Sequence, residues 1–481
     1  MDNLAEFDRY IEHLCVALEH QDRNAGLVDY CRGLMLPIHR KSIEPLAAHT
    51  DPLHVAAKHQ SLHHFVAKAG WSDSAVMARI RDWVLPHLGL DEGCYWIIDD
   101  TGYPKKGTHS VGVARQYCGQ LGKQDNCQVA VSLSLASVRG SLPVGYQLYL
   151  PKDWAADLVR RKKAGVPDDV RFATKPEIAL EQIRQALASG VPMGVVLADA
   201  GYGDETHFRD GITELGMLYA LGIRPATTVW APGTAPLPPK PWSGRGIRPT
   251  RLRREPGNEP VAVKTLAMEL PQEAYSMLTW REGTNADLSS RFAALRVRPA
   301  HRDYLSTAMR PEEWLLIEWP EGETEPAKYF LCTAPAEATL EQLVFVTKMR
   351  WRIERDYQEL KQEFGLTHFE GRGWRGFHHH ATLCIAAYAF LVTERLRQDS
   401  SKKKPRSTRS GFPTRRLPPS RQPDGSSDTC LTRFRRCDYS SPARSPAGFR
   451  AVRVVGMLSY ICDIVRLGGC RSFRWRWSSE G

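Results

Sequence analysis

The 481-residue sequence lacks most of the features that mark specialised protein classes. It has 11 cysteines but no Cys-x-x-Cys pair, and their scatter matches neither a zinc-ligand spacing nor a compact disulfide framework. Reduced thiols in a cytoplasmic protein are therefore expected. There is no nucleotide-binding loop, so no nucleotide cofactor is expected. No internal repeat recurs. The longest apolar stretch, around Ala381–Val392, is too short to span a bilayer, so no membrane partner is expected. The N-terminus, MDNLAEFDRYIEHL, is acidic and amphipathic, unlike a signal peptide.

Excess positive charge is missing from most of the chain. The net charge is +11 and the pI about 9.1, which by themselves hint at a nucleic-acid partner. Residues 401–481 hold 18 Lys and Arg against 5 Asp and Glu, a net +13. The first 400 residues hold 47 against 49, a net −2. DNA binding by the bulk of the chain must then rest on local clusters. Of the last 81 residues, 35 are Arg, Ser or Pro, a composition that cannot readily bury a core and defaults to disorder.

What is present is ordinary globular material, 42% hydrophobic and 25% charged. The length suggests several units. Residues 1–88 read as a helical N-terminal domain, with Leu4, Phe7, Tyr10, Ile11, Leu14 and Leu18 at helical spacing and Ser72-Asp73 as a helix start. A DNA-binding helix-turn-helix and a plain bundle are equally open, because no recognition helix stands out by charge. Residues 89–229 have a mixed α/β pattern. The run Tyr95-Trp-Ile-Ile-Asp99-Asp100 reads as a buried strand ending in acids, followed by a Gly- and Lys-rich connection over 101–124. Strands are predicted over 127–136, 142–150, 193–198 and 217–223, and a helix over 176–188. Residues 230–334 read as a β-rich insertion with strands at 292–297, 313–319 and 328–333. Residues 335–398 return to helix, one over 340–364 and a second over 379–396. Residues 399–481 form the basic low-complexity tail.

Two predicted strands end in acids, Asp100 (beside Asp99) and Asp199. Carboxylates fixed at neighbouring strand ends can share hard divalent cations, Mg²⁺ or Mn²⁺. The 340–364 helix offers Glu354 and Glu359 as a third acid. Three carboxylates around two ions, roughly 3.5–4 Å apart, suit phosphodiester chemistry. Taken singly, each acid is more simply a solvated turn or surface residue.

Together they gain weight by resemblance. Arg350-Trp-Arg-Ile-Glu354-Arg-Asp-Tyr-Gln-Glu-Leu-Lys361 resembles the Tyr-x2-Arg-x3-Glu-x6-Lys signature of bacterial insertion-sequence DDE transposases. Arg350, Glu354 and Lys361 match, while the tyrosine position holds Thr347. Asp100-Thr-Gly resembles the first Asp motif, and Leu197-Ala-Asp199-Ala-Gly-Tyr-Gly the second. The insertion between Asp199 and Glu354 is similar to that of members with a β-insertion in an RNase H-like fold. The nearest group is the insertion-sequence 701 family, close to the insertion-sequence 4 group, and the resemblance covers roughly residues 20–396.

The resemblance implies an RNase H-like mixed sheet with flanking helices and Asp100, Asp199 and Glu354 as the catalytic, metal-binding triad. It implies Arg350 and Lys361 as phosphate contacts. Asp99 competes with Asp100, since adjacent strand residues point to opposite faces. Asp100 is chosen because the following Thr fits the motif. Lys105, Lys106, His109 and Arg115 offer a DNA-backbone clamp, with a solvated hairpin equally open. Trp230, Trp242 and Trp280 lie in the insertion, where related transposases stack an aromatic on a flipped base. Packing is the simpler role, and none is assigned. His378-His-His380 points in three directions and does not make a metal site.

The implied function is transposition: hydrolysis at the element's terminal inverted repeats, then strand transfer into target DNA by a synaptic homodimer. Another RNase H-like endonuclease, or a non-catalytic DNA-binding derivative, are the rivals. The abrupt change near residue 400, where the resemblance stops, also fits a frameshifted C-terminus. Translating the other two frames beyond codon 400 tests this.

Overall fold

Five helices open the chain: α1 (Asn3–Cys15), α2 (Asn24–Met35), α3 (Ile43–Thr50), α4 (Val55–Ala67) and α5 (Asp73–Leu88). The apolar stripe of α1 runs into the turn that follows it, and Phe7, Tyr10, Ile11, Leu14 and Leu18 are all buried. Ser72 Oγ accepts from Ala75 N–H at 3.1 Å and caps α5, whose far end is closed by Gly89 in the left-handed region. This is a computed structural model, and it describes residues 3–281 and 288–401, which fall in one compact unit. The readings placed on the basic tail lie outside the described residues.

The central segment supplies β1 (Tyr95–Pro104), β2 (Ala114–Cys118), β3 (Lys123–Ala136), β4 (Ser141–Leu148), β5 (Val195–Ala198) and β6 (Leu218–Ile223). Between them lie α6 (Lys152–Ala156), α7 (Leu158–Ala164), α8 (Lys175–Ala188), α9 (Ala200–Gly203) and α10 (Thr206–Glu214). A capping box between Thr174 and Glu177, with Pro176 in the first turn, starts α8. The insertion carries β7 (Thr228–Trp230), β8 (Val261–Ala262), α11 (Val263–Glu269), β9 (Ser276–Arg281), β10 (Leu288–Pro299), β11 (Glu313–Trp319) and β12 (Lys328–Cys332). Then come α12 (Leu340–Lys348), α13 (Trp351–Gln362) and α14 (Trp374–Ser401).

The strands form one mixed sheet in the order β2-β3-β1-β5-β6-β12-β11-β10-β7-β8, with β4 beside β3 and β9 beside β10. Only β1/β5 and β5/β6 run parallel among these pairs. This is the expected α/β architecture, a large mixed sheet flanked by helices and consistent with an RNase H-like fold. The insertion strands extend this sheet rather than build a separate layer, because β12 pairs antiparallel with β6 from Tyr329↔Ile223 to Cys332↔Ala220.

Two elements differ from the sequence reading. The connection over 101–124 contains a strand, β2, which pairs with β3 from Ala114↔Cys127 to Cys118↔Lys123. Its five residues include three polar ones and gave no apolar signal. The helix predicted over 340–364 is broken between Lys348 and Trp351. Buried Thr347 turns its hydroxyl back to the carbonyls of Leu343 and Val344, both at 2.9 Å, a contact that bends helices. The apolar run at 381–392 is the middle of α14, buried all round, with α2, α4, α5 and β4 packed against it. Among the described residues, no helix is long and apolar enough to cross a membrane, and every cysteine is free.

His378, His379 and His380 are buried in α14 and diverge as expected. His378 Nε2 meets Leu148 N–H, His379 meets the carbonyls of Val66 and Trp71, and His380 meets Tyr30 OH and Gly365 O. They tie α14 to the sheet, to the α4–α5 connection and to α2.

Candidate active site

Parallel pairing of β1 with β5 sets the geometry of the acids. The register is Tyr95↔Val195, Trp96↔Val196 and Ile97↔Leu197. Continuing that offset of one hundred brings Asp99, midway along β1, and not Asp100, level with Asp199, which follows the last residue of β5. In-register residues of neighbouring strands project to the same face. Asp99 also stands opposite Ser132 of β3, and Asp100 opposite Val131.

The helices packed on each face complete the assignment of sides. On one face, Tyr95 stacks edge-on against Phe345 of α12, and Asp99 Oδ2 accepts from Arg350 Nη1 at 2.9 Å. On the other, Gln182 of α8 bonds the Val131 carbonyl, and Asp100 pairs with Lys175 of α8. Asp100, expected as the first acid of the triad, is therefore not brought together with Asp199 and Glu354 on the α13 face. The pleat turns it to the α8 face. The Asp99 side chain lies there instead, 22% exposed.

Asp199 is fixed where β5 ends. Its Oδ1 accepts from Gly201 N–H at 2.9 Å, and its carbonyl accepts from Tyr202 and Gly203, so it caps the single turn of α9. Glu354 lies in the first turn of α13 with its side chain 60% exposed. The helix beneath it is firmly seated. Ile353, Tyr357 and Leu360 are buried, and Asp356 accepts from Ser141 Oγ at 2.7 Å and Tyr388 OH at 2.9 Å. Burial pushes the Asp356 carboxyl up to about 7. At the other end of α13, Lys41 donates its ammonium to the carbonyls of Glu363 and Leu34, joining α13 to α2.

Arg350 stands among the three acids. It donates to Asp99 and, at 2.6 Å, to Glu354 Oε1. Burial opposes its charge, and Asp99, Glu354 and Asp199 outweigh that. Burial also pushes the Asp99 carboxyl up to about 6, with Arg350 pulling it down and Asp199 and Asp100 pushing it further up. Lys361, two turns beyond Glu354, is half-buried; desolvation lowers it, while the charges of Cys118 and Asp99 hold it up. Lys361 thus feels the charge of Asp99, to which Arg350 donates, and among the described residues it makes no ion pair with Asp99, Asp199 or Glu354.

The other expected cations lie elsewhere. Lys105 Nζ donates to Phe369 O at 3.3 Å, which commits it to the loop after α13. Lys106, His109 and Arg115 are exposed, and among the described residues none of them pairs with Asp99, Asp199 or Glu354. Sequence reading assigned no role to Trp280 or Trp351. Both line a cavity of about 470 Å³ together with Asp199, Arg350, Glu354 and Lys348. Lys348 stacks on Trp280 with 4.4 Å to the ring centroid, and Arg281 on Trp351 with 3.9 Å, so β9 of the insertion is joined to α12 and α13. Trp230 is buried and donates to Asp303, and Trp242 is exposed on a loop.

The sequence profile described as DDE superfamily endonuclease matches residues 13–287. The chain belongs to this superfamily. The match includes Asp99, Asp100 and Asp199 and stops short of Glu354. A relative described as a probable transposase for insertion sequence element IS701, from Microchaete diplosiphon, is 33% identical over 166 residues. That stretch covers 34% of this DDE chain and 40% of the relative, so the two are matched over less than half of either length.

Members of a DDE superfamily are expected to use divalent cations, and the donors here suit hard ones. Asp99, Asp199 and Glu354 present only carboxylate oxygens, the ligands preferred by Mg²⁺ and Mn²⁺. Among the described residues, no three acids, histidines or cysteines are already drawn into a metal cage. The Arg350 guanidinium lies between Asp99 and Glu354 and brings positive charge to both carboxylates.

Proposed function

We propose that this chain is an insertion-sequence transposase that cleaves its element's ends and joins them to target DNA, with Asp99, Asp199 and Glu354 as its acid triad. The observation that carries the reading is the meeting of Asp99 and Glu354 on Arg350, in register with Asp199 at the end of the adjacent parallel strand. Two Mg²⁺ or Mn²⁺ ions held by these acids would supply Lewis-acid activation of the attacking oxygen and charge stabilisation of the leaving oxygen. The chain's own residues supply the rest. Arg350, released from the acids, and Lys361 bind the scissile phosphate, and the middle of β1 and the end of β5 hold the two aspartates in place. In the first step water forms a bond to phosphorus and the 3′-oxygen of the element's end leaves, taking up a proton. In the second, that 3′-hydroxyl attacks a target phosphate and displaces a target 3′-oxygen, which takes up a proton as the attacking hydroxyl loses one. Two ends brought together imply a homodimer.

The test uses the full chain, Mn²⁺ and duplexes carrying the inverted repeats that flank the gene. Cleavage at the repeat end and joining of a pre-cut end to a second duplex are expected. Cleavage of DNA junctions or flaps without joining would instead make the chain a structure-specific nuclease, and no cleavage of any duplex would overturn the enzymatic reading.

The raised carboxyl of Asp99 also predicts how stability changes with pH. Its folded value of about 6 exceeds the ordinary carboxylate value near ~3.9, so the folded chain holds this proton more tightly. The stabilisation is complete below ~pH 4 and is lost as pH rises through ~6. Asp99→Asn cannot ionise. In metal-free unfolding experiments it should match the parent at about pH 3 and exceed it at about pH 8 by about 1–2 kcal/mol, allowing for solvent screening. A difference that does not change with pH would contradict this.

A further inference from the structure

No acid occurs between residues 215 and 254, although that stretch holds seven Lys and Arg. The cations at its end are used structurally. Arg253 pairs with Glu255 and donates to Pro238 O, and Arg254 pairs with Asp303, the buried acid that also accepts from Trp230. Leu237 and Arg253 exchange backbone hydrogen bonds, both at 2.9 Å, and Leu252 N–H bonds Ser306 O at 3.0 Å. Above this anchored base, every residue from 240 to 251 is exposed. Lys240, Arg245, Arg248 and Arg251 make no ion pair or hydrogen bond with their side chains among the described residues. Ile247 is 98% exposed at the tip, and the Trp242 indole folds over the loop to donate to Gly246 O at 3.3 Å.

Four cations without ion-pair partners among the described residues and a bare isoleucine therefore stand together on this base, a surface suited to a polyanionic partner. Arg245 sits between Gly244 and Gly246, whose φ values of 83° and 74° are open to glycine and give the tip a slim backbone. Pro241 and Pro249 restrict the loop and reduce the entropy lost on docking. We propose that residues 240–251 are a finger that enters the minor groove of duplex DNA. Arg245 reads the groove, Arg248 and Arg251 neutralise flanking phosphates, and Ile247 wedges against a base step. A minor groove about 6 Å wide admits such a tip, narrow A·T tracts attract arginine, and apolar wedges there bend the duplex. The proposal rests on DNA being this chain's substrate, and its test separates the two ideas.

Anisotropy titrations of the full chain in EDTA, on A·T-rich and G·C-rich duplexes of about four helical turns, give the salt dependence of binding. The triple variant Arg245→Ala, Arg248→Ala, Arg251→Ala should keep the parent's melting temperature. It should lower the slope of log affinity against log salt by about 2–3, at ~0.9 per cation–phosphate contact. Arg245→Ala alone should abolish an A·T preference, and Ile247→Ala should reduce bending seen by end-to-end energy transfer. A parent chain that binds no duplex would sink the DNA-acting reading itself. Duplex binding with an unchanged slope in the triple variant would overturn the finger alone. So would a triple variant that binds duplex normally but loses binding to polyglutamate, because the partner would then be an acidic protein.

Discussion

Asp99→Asn is expected to reduce end cleavage by ~10³-fold or more, a loss of ~4 kcal/mol of transition-state stabilisation, while Asp100→Asn stays within a few-fold of the parent. The two carboxylates are adjacent in sequence and differ in what they face. Asp99 shares Arg350 with Glu354 and lies level with Asp199. Replacing one oxygen by an amide removes a charge and a hard donor from the proposed triad without changing its shape. Asp100 makes an ion pair with Lys175 in which both side chains are 31% exposed, and such pairs contribute about 0–1 kcal/mol to stability. The measurement is single-turnover cleavage of a repeat-end duplex by each variant. Stability at about pH 8 is followed in parallel, where Asp99→Asn should be the more stable of the two. A dead Asp100→Asn beside an active Asp99→Asn would overturn the assignment drawn from the strand register.

The reason the sequence did not separate Asp99 from Asp100 is physical. In a strand with one wet face, alternation shows which residues point to the core. Tyr95, Trp96, Ile97 and Ile98 are all buried, because β1 is covered on both faces, so the pattern carries no phase. The phase comes from pairing with β5, whose partner residues lie a hundred positions away and whose offset no local pattern records. Helical periodicity, in contrast, is a local property, and spacing alone places Arg350, Glu354 and Lys361 on one face. It failed only at the break near Thr347, where one hydroxyl competes for backbone carbonyls. The strands at 313–319 and 328–333 were legible, yet their place as continuations of the central sheet was not. That placement depends on the β12–β6 pairing, again a long-range contact. The stacking of Lys348 on Trp280 likewise needed the insertion strand β9 to be brought against α12.

Gly203→Ala is expected to cost about 3 kcal/mol of stability and ~10²-fold in cleavage, although the residue touches no acid of the proposed triad. The short helix α9 rides directly on β6. A Cβ at position 203 would lie 1.9 Å from the Gly222 carbonyl oxygen and 3.0 Å from both Gly222 C and Leu221 Cβ. Most of that is backbone of a central strand, which cannot rotate away as the end of a side chain can. Relief requires α9 to lift off β6. The cap of α9 is Asp199, which also sits over β6: a Cβ on Gly222 would find the Asp199 backbone at 3.2 and 3.4 Å. Lifting α9 therefore carries Asp199 out of line with Asp99. A displacement of ~1 Å at a reacting centre costs on the order of 10²-fold in rate even when the chemistry of the group is intact. This explains the small residues of the Asp199-Ala-Gly-Tyr-Gly run as a packing requirement that fixes a carboxylate. Gly70→Ala is the control, since a Cβ there meets nothing within 4 Å, and it should leave both melting and cleavage unchanged. If Gly203→Ala melted with the parent and cleaved at the parent rate, the close seating of α9 on β6 could not be what holds Asp199 in place.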